Sequence, residues 1–205
     1  REDGGVTIKD DWYVLGMRGT QSNTTLLEGA RVKAEQVLGR VNPGPNLDPV
    51  VLGIFANFEI LLAATYAGVG ERAIEVAVEH VKKRRSVMNQ TTYSNDPAIR
   101  WRLAEAALLM NAVGPQIREM AALVESDAEP NLGWLPRLSA VKNAASEASL
   151  RVVEQCVRAC GGSSYYDKNE LSRLYRDVLA GLFQPSDQES LHGAWANMVL
   201  GPVAD

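Results

Sequence analysis

The chain has 205 residues, enough for one large or two small domains, and its 46% hydrophobic and 22% charged residues are ordinary for a soluble globular protein. A formal net charge of -4 argues against a broad nucleic-acid-binding surface, which needs clustered positive charge. No apolar run reaches the roughly 18 residues that span a bilayer; the best, Ile60 to Gly70, is short and follows Glu59 directly, so no membrane partner is expected. Arg1-Glu2-Asp3-Gly4-Gly5 has no apolar signal core behind it, and a cytoplasmic location is the default expectation.

Residues 1–41 read as strands. Val6-Thr7-Ile8 and Trp12-Tyr13-Val14-Leu15 are rich in β-formers, with Asp10-Asp11 as the turn between them, and Asn23 to Leu27 is a further strand. A few strands need something to cover their apolar face. Asn42-Pro43-Gly44-Pro45-Asn46-Leu47-Asp48 reads as a linker that breaks regular structure.

From about residue 50 the pattern is helical. A first helix over 50–85 places Leu62, Tyr66, Val69, Ala73, Val76, Ala77 and Val81 at three- and four-residue steps, with Glu71, Glu75, Glu79 and Lys83 as a solvated stripe opposite. It ends in Lys82-Lys83-Arg84-Arg85, cations that the helix dipole favours there without any polyanion. A second helix starts at Asp96-Pro97, an N-cap followed by proline, and carries Ile99, Leu103, Ala106, Met110, Val113, Ile117, Met120 and Val124 inward. Gly114-Pro115 is expected to kink it. A third runs from Leu135 to Cys160 with a small-residue stripe of Leu138, Val141, Ala145, Ala148, Val152 and Cys156. Cys156 and Cys160 sit four apart with no histidine near them in sequence, so packed, reduced thiols are expected and no metal site. The fourth helix covers Asn169 to Phe183, and a fifth starts at Ser186, where Ser186 and Glu189 match a capping box. The expected fold is mainly α: an antiparallel up-and-down bundle with a small N-terminal β segment.

Three blocks carry more than fold. Asp11-Trp12-Tyr13-Val14-Leu15-Gly16-Met17-Arg18-Gly19-Thr20 contains Gly-x-Arg-Gly-Thr ahead of a strand. Ala67-Gly68-Val69-Gly70 precedes the Arg-rich helix end and Ser86-Val87. Gly161-Gly162 ends the third helix and is followed at fixed spacing by Tyr175-Arg176-Asp177; paired glycines end a helix and leave its last backbone groups open to close approach. In order and spacing these blocks resemble the C-terminal half of the acyl-CoA dehydrogenase family of flavoproteins.

That resemblance implies residues 1–45 as the remnant of a middle β-domain and 46–205 as the C-terminal helical bundle. It also implies a chain that begins inside the β-domain, as a piece of a longer protein or a split subunit. It implies bound FAD, shared at the interface of a homodimer or homotetramer. Gly161 and Gly162 match the pair beside the cofactor. Arg84 matches the arginine that reaches the FAD pyrophosphate or adenosine of a neighbouring subunit, a task suited to a forked guanidinium. Arg158 stands where the family has glutamine, and Val87 where it has an aromatic. The glutamate that takes the α-proton in most members aligns with Pro185, preceded by Gln184, and neither can act as a base. Asp187 and Glu189 are nearby. A minority place the base early in the first bundle helix, at Phe58, one residue from Glu59. His192 on the last helix is a further candidate to face the flavin. The catalytic residue is therefore unassigned. The implied activity is FAD-dependent oxidation of an acyl-CoA thioester at Cα–Cβ with a non-standard base. Two alternatives are a reduced-flavin monooxygenase on the same fold, acting on another small molecule, and a non-catalytic FAD-sharing subunit. A plain helical adaptor stands outside the flavin readings.

Overall fold

The computed structural model describes residues 4–44, 48–126, 131 and 133–203. The centre of the expected linker, 45–47, and the first three residues lie outside the described residues. Two strands, β1 (Val6–Ile8) and β2 (Thr25–Leu27), precede five helices: α1 (Pro49–Lys83), α2 (Pro97–Glu125), α3 (Trp134–Cys160), α4 (Glu170–Val178) and α5 (Gln188–Leu200). The helices form the expected up-and-down bundle, with α3 at its centre against α1, α2, α4 and α5.

Local chemistry sets the helix starts. Asp48 accepts from the Val50 and Val51 N–H groups, Asp96 from Ala98 and Ile99, and Asn169 from Leu171; prolines follow the first two caps. α2 continues through Pro115 as one element. At α5 the sequence expectation is corrected. Asp187, not Ser186, is the N-cap, accepting from Ser190 N at 2.8 Å, because the Ser186 hydroxyl is committed to Glu59.

The interhelical core uses small residues. Ala56, Ala63, Ala73 and Ala77 of α1 and Ala145, Ser146 and Ser149 of α3 are all buried. A Cβ on Gly70 would lie 2.7 Å from Met110 Sδ and 3.0 Å from Ser149 Oγ, so three helices meet closely there and a larger residue would have to displace the Met110 side chain. Leu138, Val152, Val153, Leu171 and Val178 fill the remaining space, each stabilising the bundle by about 1.5–3 kcal/mol. As a whole α1 is long and apolar enough to cross a membrane by length and composition, which corrects the reading that stopped at Ile60–Gly70.

The β segment departs further from expectation. β1 pairs antiparallel with β2, Val6 opposite Leu27 and Ile8 opposite Thr25. No strand forms over Trp12–Leu15. Asn23 Oδ1 accepts from the N–H groups of Asp11 (3.1 Å) and Trp12 (3.0 Å), and Asp11 Oδ1 accepts from Thr24 N (2.9 Å). Side chains thus take the backbone groups a strand would pair, and Asp10-Asp11 closes a loop instead of a hairpin.

Candidate functional site

The loop that Asn23 and Asp11 close is held against α4. Met17 has left-handed backbone angles and donates its N–H to Asp177 Oδ1 at 2.7 Å. A Cβ on Gly16 would lie 2.2 Å from the Arg176 carbonyl oxygen, so glycine is required for this approach. Trp12 Nε1 donates to Met17 O at 3.2 Å and fixes the indole within the loop. Asp177 also pairs with Arg173 at 3.2 Å, and one carboxylate ties loop and helix together.

Between this loop and the turn after α4 lies a cleft of about 370 Å³. Trp12, Leu15 and Met17 line one side and Leu179, Phe183, Gln184 and Pro185 the other. Arg176, Thr20, Ser22 and Gln184 are its main polar side chains, and among the described residues no carboxylate, thiol or imidazole lines it. A neighbouring hollow of about 520 Å³ shares Leu15–Met17, Thr20 and Arg176 and adds Arg18, Gly19, Arg173 and Asp177, whose carboxylate is already taken by Met17 N and Arg173.

The wall formed by 181–186 is pinned from beneath by a buried polar group. Lys142 of α3 is 0% exposed, and its ammonium donates to the carbonyl oxygens of Gly181 (2.8 Å), Ser186 (3.0 Å) and Gln184. Burial holds its pKa below the ordinary lysine value, against the attraction of Glu59 and Asp187. Glu59 of α1, also 0% exposed, accepts from Ser186 N (3.0 Å) and Ser186 Oγ (2.9 Å) through Oε1, while its Oε2 has no hydrogen-bond partner among the described residues. Tyr66, buried on α1, donates its hydroxyl to Gln184 Oε1 at 2.6 Å. A Cβ on Gly181 would meet Ser146 Oγ at 2.9 Å, so this wall sits hard against α3.

The sequence candidates separate into groups. Arg84 caps α1, lies 5.0 Å over the Tyr93 ring and points Nη1 at the Cys160 carbonyl 3.5 Å away, beside the paired glycines. Tyr93 thus gives Arg84 an aromatic partner, while Val87 is solvated. Gly161 has φ +68°, a conformation that favours glycine, whereas Gly162 has ordinary angles and open space around its Cβ position. Arg158 is ion-paired one turn back with Glu154 at 2.6 Å. None of these four lines the cleft. Glu59 faces the interior, locked on Ser186. His192 donates its Nδ1–H to Gln188 O (2.7 Å) on exposed α5, away from the cleft.

Lys142 and Tyr66 were not singled out as site residues by the sequence reading. A signal existed: Ser139, Lys142, Ser146 and Ser149 recur at three- and four-residue steps on the buried face of α3, while Arg137, Arg151 and Arg158 occupy its exposed positions.

Comparison with known proteins bears on this arrangement. The family described as acyl-CoA dehydrogenase, C-terminal domain, matches residues 60–183. The amino sugar nitrososynthase DnmZ of Streptomyces peucetius is 28% identical over 181 residues, covering 87% of this chain and 44% of that protein. The putative acyl-CoA dehydrogenase YdbM of Bacillus subtilis is 29% identical over 187 residues, covering 90% and 47%. The structure of KijD3 in complex with FMN and dTDP-3-amino-2,3,6-trideoxy-4-keto-3-methyl-D-glucose superposes with a TM-score of 0.83 at 24% identity, covering all of this chain and 51% of that one. The chain thus spans less than half the length of both relatives.

Proposed function

The chain belongs to the acyl-CoA dehydrogenase family, and from that premise we propose that it is the helical part of an FAD-dependent oxidoreductase working with reduced flavin and oxygen rather than by α,β-dehydrogenation of an acyl thioester. One observation carries this reading: among the described residues no carboxylate, thiol or imidazole lines the cleft, and Asp177 of the adjoining hollow is held by Met17 N and Arg173. A general base must lie within hydrogen-bond reach of the proton it removes. Gln184 and Pro185 occupy the wall where the family resemblance expects the glutamate, and Glu59 is turned inward beneath it. The similarity to an amino sugar nitrososynthase supports the same direction.

The residues present fit a flavin. Trp12, Met17 and Phe183 give the cleft apolar and aromatic faces for a planar ring, and Thr20, Ser22 and Gln184 give it hydrogen-bonding edges. Bound FAD would supply the electron transfer. Arg84 and the open backbone at Gly161-Gly162 suit the pyrophosphate or adenosine end, contributed across an interface between copies of the chain. Arg158 joins only by exchanging Glu154 for phosphate. Exposed Ile54 and Leu61 on α1 and Val199 and Leu200 on α5 support assembly as a homodimer or homotetramer.

The test compares two assays of the full-length protein loaded with FAD. The reading expects oxygen uptake when reduced FAD is supplied, and no dye reduction with short-, medium- or long-chain acyl-CoA. Brisk dye reduction with any thioester overturns it.

A further inference from the structure

Gln184 is the one uncharged side chain of the 181–186 wall that lines the cleft and carries hydrogen-bonding groups. Its carboxamide is not free to turn. Tyr66 is fully buried, and burial together with the charge of Asp177 pushes its pKa up to about 12, so the phenol stays protonated and donates. The structure sets Oε1 2.6 Å from that hydroxyl, accepting its hydrogen, and leaves both Nε2–H bonds on the other limb of the amide. Nε2 has no partner among the described residues. The main chain beneath is equally fixed, because Lys142 holds the carbonyls of Gly181, Gln184 and Ser186 and Glu59 holds Ser186 N. An amide held at its oxygen, on a backbone held at three carbonyls, presents a preorganised donor to the cleft.

We propose that Gln184 is the specificity-determining hydrogen-bond donor of the cleft, engaging a carbonyl-class acceptor on the flavin ring, and that Tyr66 and Lys142 are the positioning residues that fix it. This rests on the flavin reading. It makes the wall an electrostatic opposite of a carboxylate: it stabilises electron density on the ligand instead of withdrawing a proton from it.

The experiment uses the full-length protein with FAD as the probe. Affinity is read by quenching of flavin fluorescence, and the ring environment by the position of the visible flavin band. Gln184→Met removes the donor at similar size and weakens FAD by about tenfold, the worth of one well-placed hydrogen bond. Gln184→Glu replaces the donor by a carboxylate and weakens it further. Tyr66→Phe frees the amide without removing it and gives an intermediate loss, about threefold, with a displaced visible band. A purely supporting role for Tyr66 would lower stability while leaving that band in place. If Gln184→Glu binds FAD as well as or better than wild type, or if Gln184→Met leaves affinity and band unchanged, the donor is refuted and the flavin reading stands. If the wild-type protein does not quench FAD at all, the flavin reading fails and this proposal falls with it.

Discussion

Lys142→Met is the most informative stability change. The methionine matches the length of the lysine stem but offers no donor. Three carbonyl oxygens, of Gly181, Gln184 and Ser186, lose their partner, and Glu59 loses the attraction of a buried ammonium in a site with 0% exposure. Removing one member of a buried charged pair costs about 3–5 kcal/mol, and charge-assisted hydrogen bonds contribute about 1.5–3 kcal/mol each without being additive. We expect a loss of about 4 kcal/mol, a large share of the roughly 5–15 kcal/mol that holds a domain folded. The double variant Glu59→Gln/Lys142→Met removes the stranded charge and keeps an acceptor for Ser186 N, so it should recover about 2 kcal/mol of that loss. Urea unfolding followed by circular dichroism, with the midpoint shift multiplied by a common m-value, gives both numbers. A single variant within about 1 kcal/mol of wild type, or a double variant no better than the single, refutes the buried network as the support of the wall.

Further outcomes follow from the same geometry. Gly161→Ala, at φ +68°, should destabilise by about 1–3 kcal/mol, whereas Gly162→Ala, with ordinary angles and open space, should stay within about 0.5 kcal/mol in thermal unfolding yet weaken FAD in the full-length protein. Spectrophotometric titration should find one of the six tyrosines ionising at about 12 in place of 10, and Tyr66→Phe should abolish that late step. Because the folded pKa is the raised one, this tyrosine's contribution to stability is complete below pH 10 and is lost as pH rises towards 12, so base-induced unfolding should be less steep in Tyr66→Phe. Asp177→Ala should release Met17 N and speed amide hydrogen exchange at Met17 without unfolding α4, whose Leu171, Leu174 and Val178 remain buried; unchanged exchange would detach the loop from this anchor.

Much of the architecture was legible because its causes are local. Asp96-Pro97 marked a helix start by capping chemistry, and Ala73, Ala77, Val81, Met110 and Met120 marked inward faces by their period. What was missed depends on contacts far apart in sequence. Trp12–Leu15 has the composition of a strand, but Asn23 and Asp11 claim the backbone groups a strand needs. Ser186 and Glu189 had the spacing of a capping box, but Ser186 is drawn to Glu59, 127 residues earlier, and the cap passes to Asp187. Tyr66 read as one more member of an apolar stripe because its hydroxyl's partner, Gln184, lies 118 residues on. Lys142 is the instructive miss: a cation within a serine stripe on the inner face of α3 has no solvated role, and a buried ammonium must find carbonyls. The absence of a glutamate at Pro185 was visible in the sequence; that the remaining wall is a fixed amide was not.

Proton exchange tests the central claim most directly, because it asks about the base alone, without turnover. An acyl-CoA incubated with the FAD-loaded full-length protein in deuterium oxide, then analysed by mass spectrometry, would take up deuterium at its α-carbon if any residue removed that proton. A cleft walled by Gln184 and Pro185, with Glu59 turned beneath it, predicts no incorporation above a protein-free control; protein-dependent deuterium at the α-carbon would contradict it.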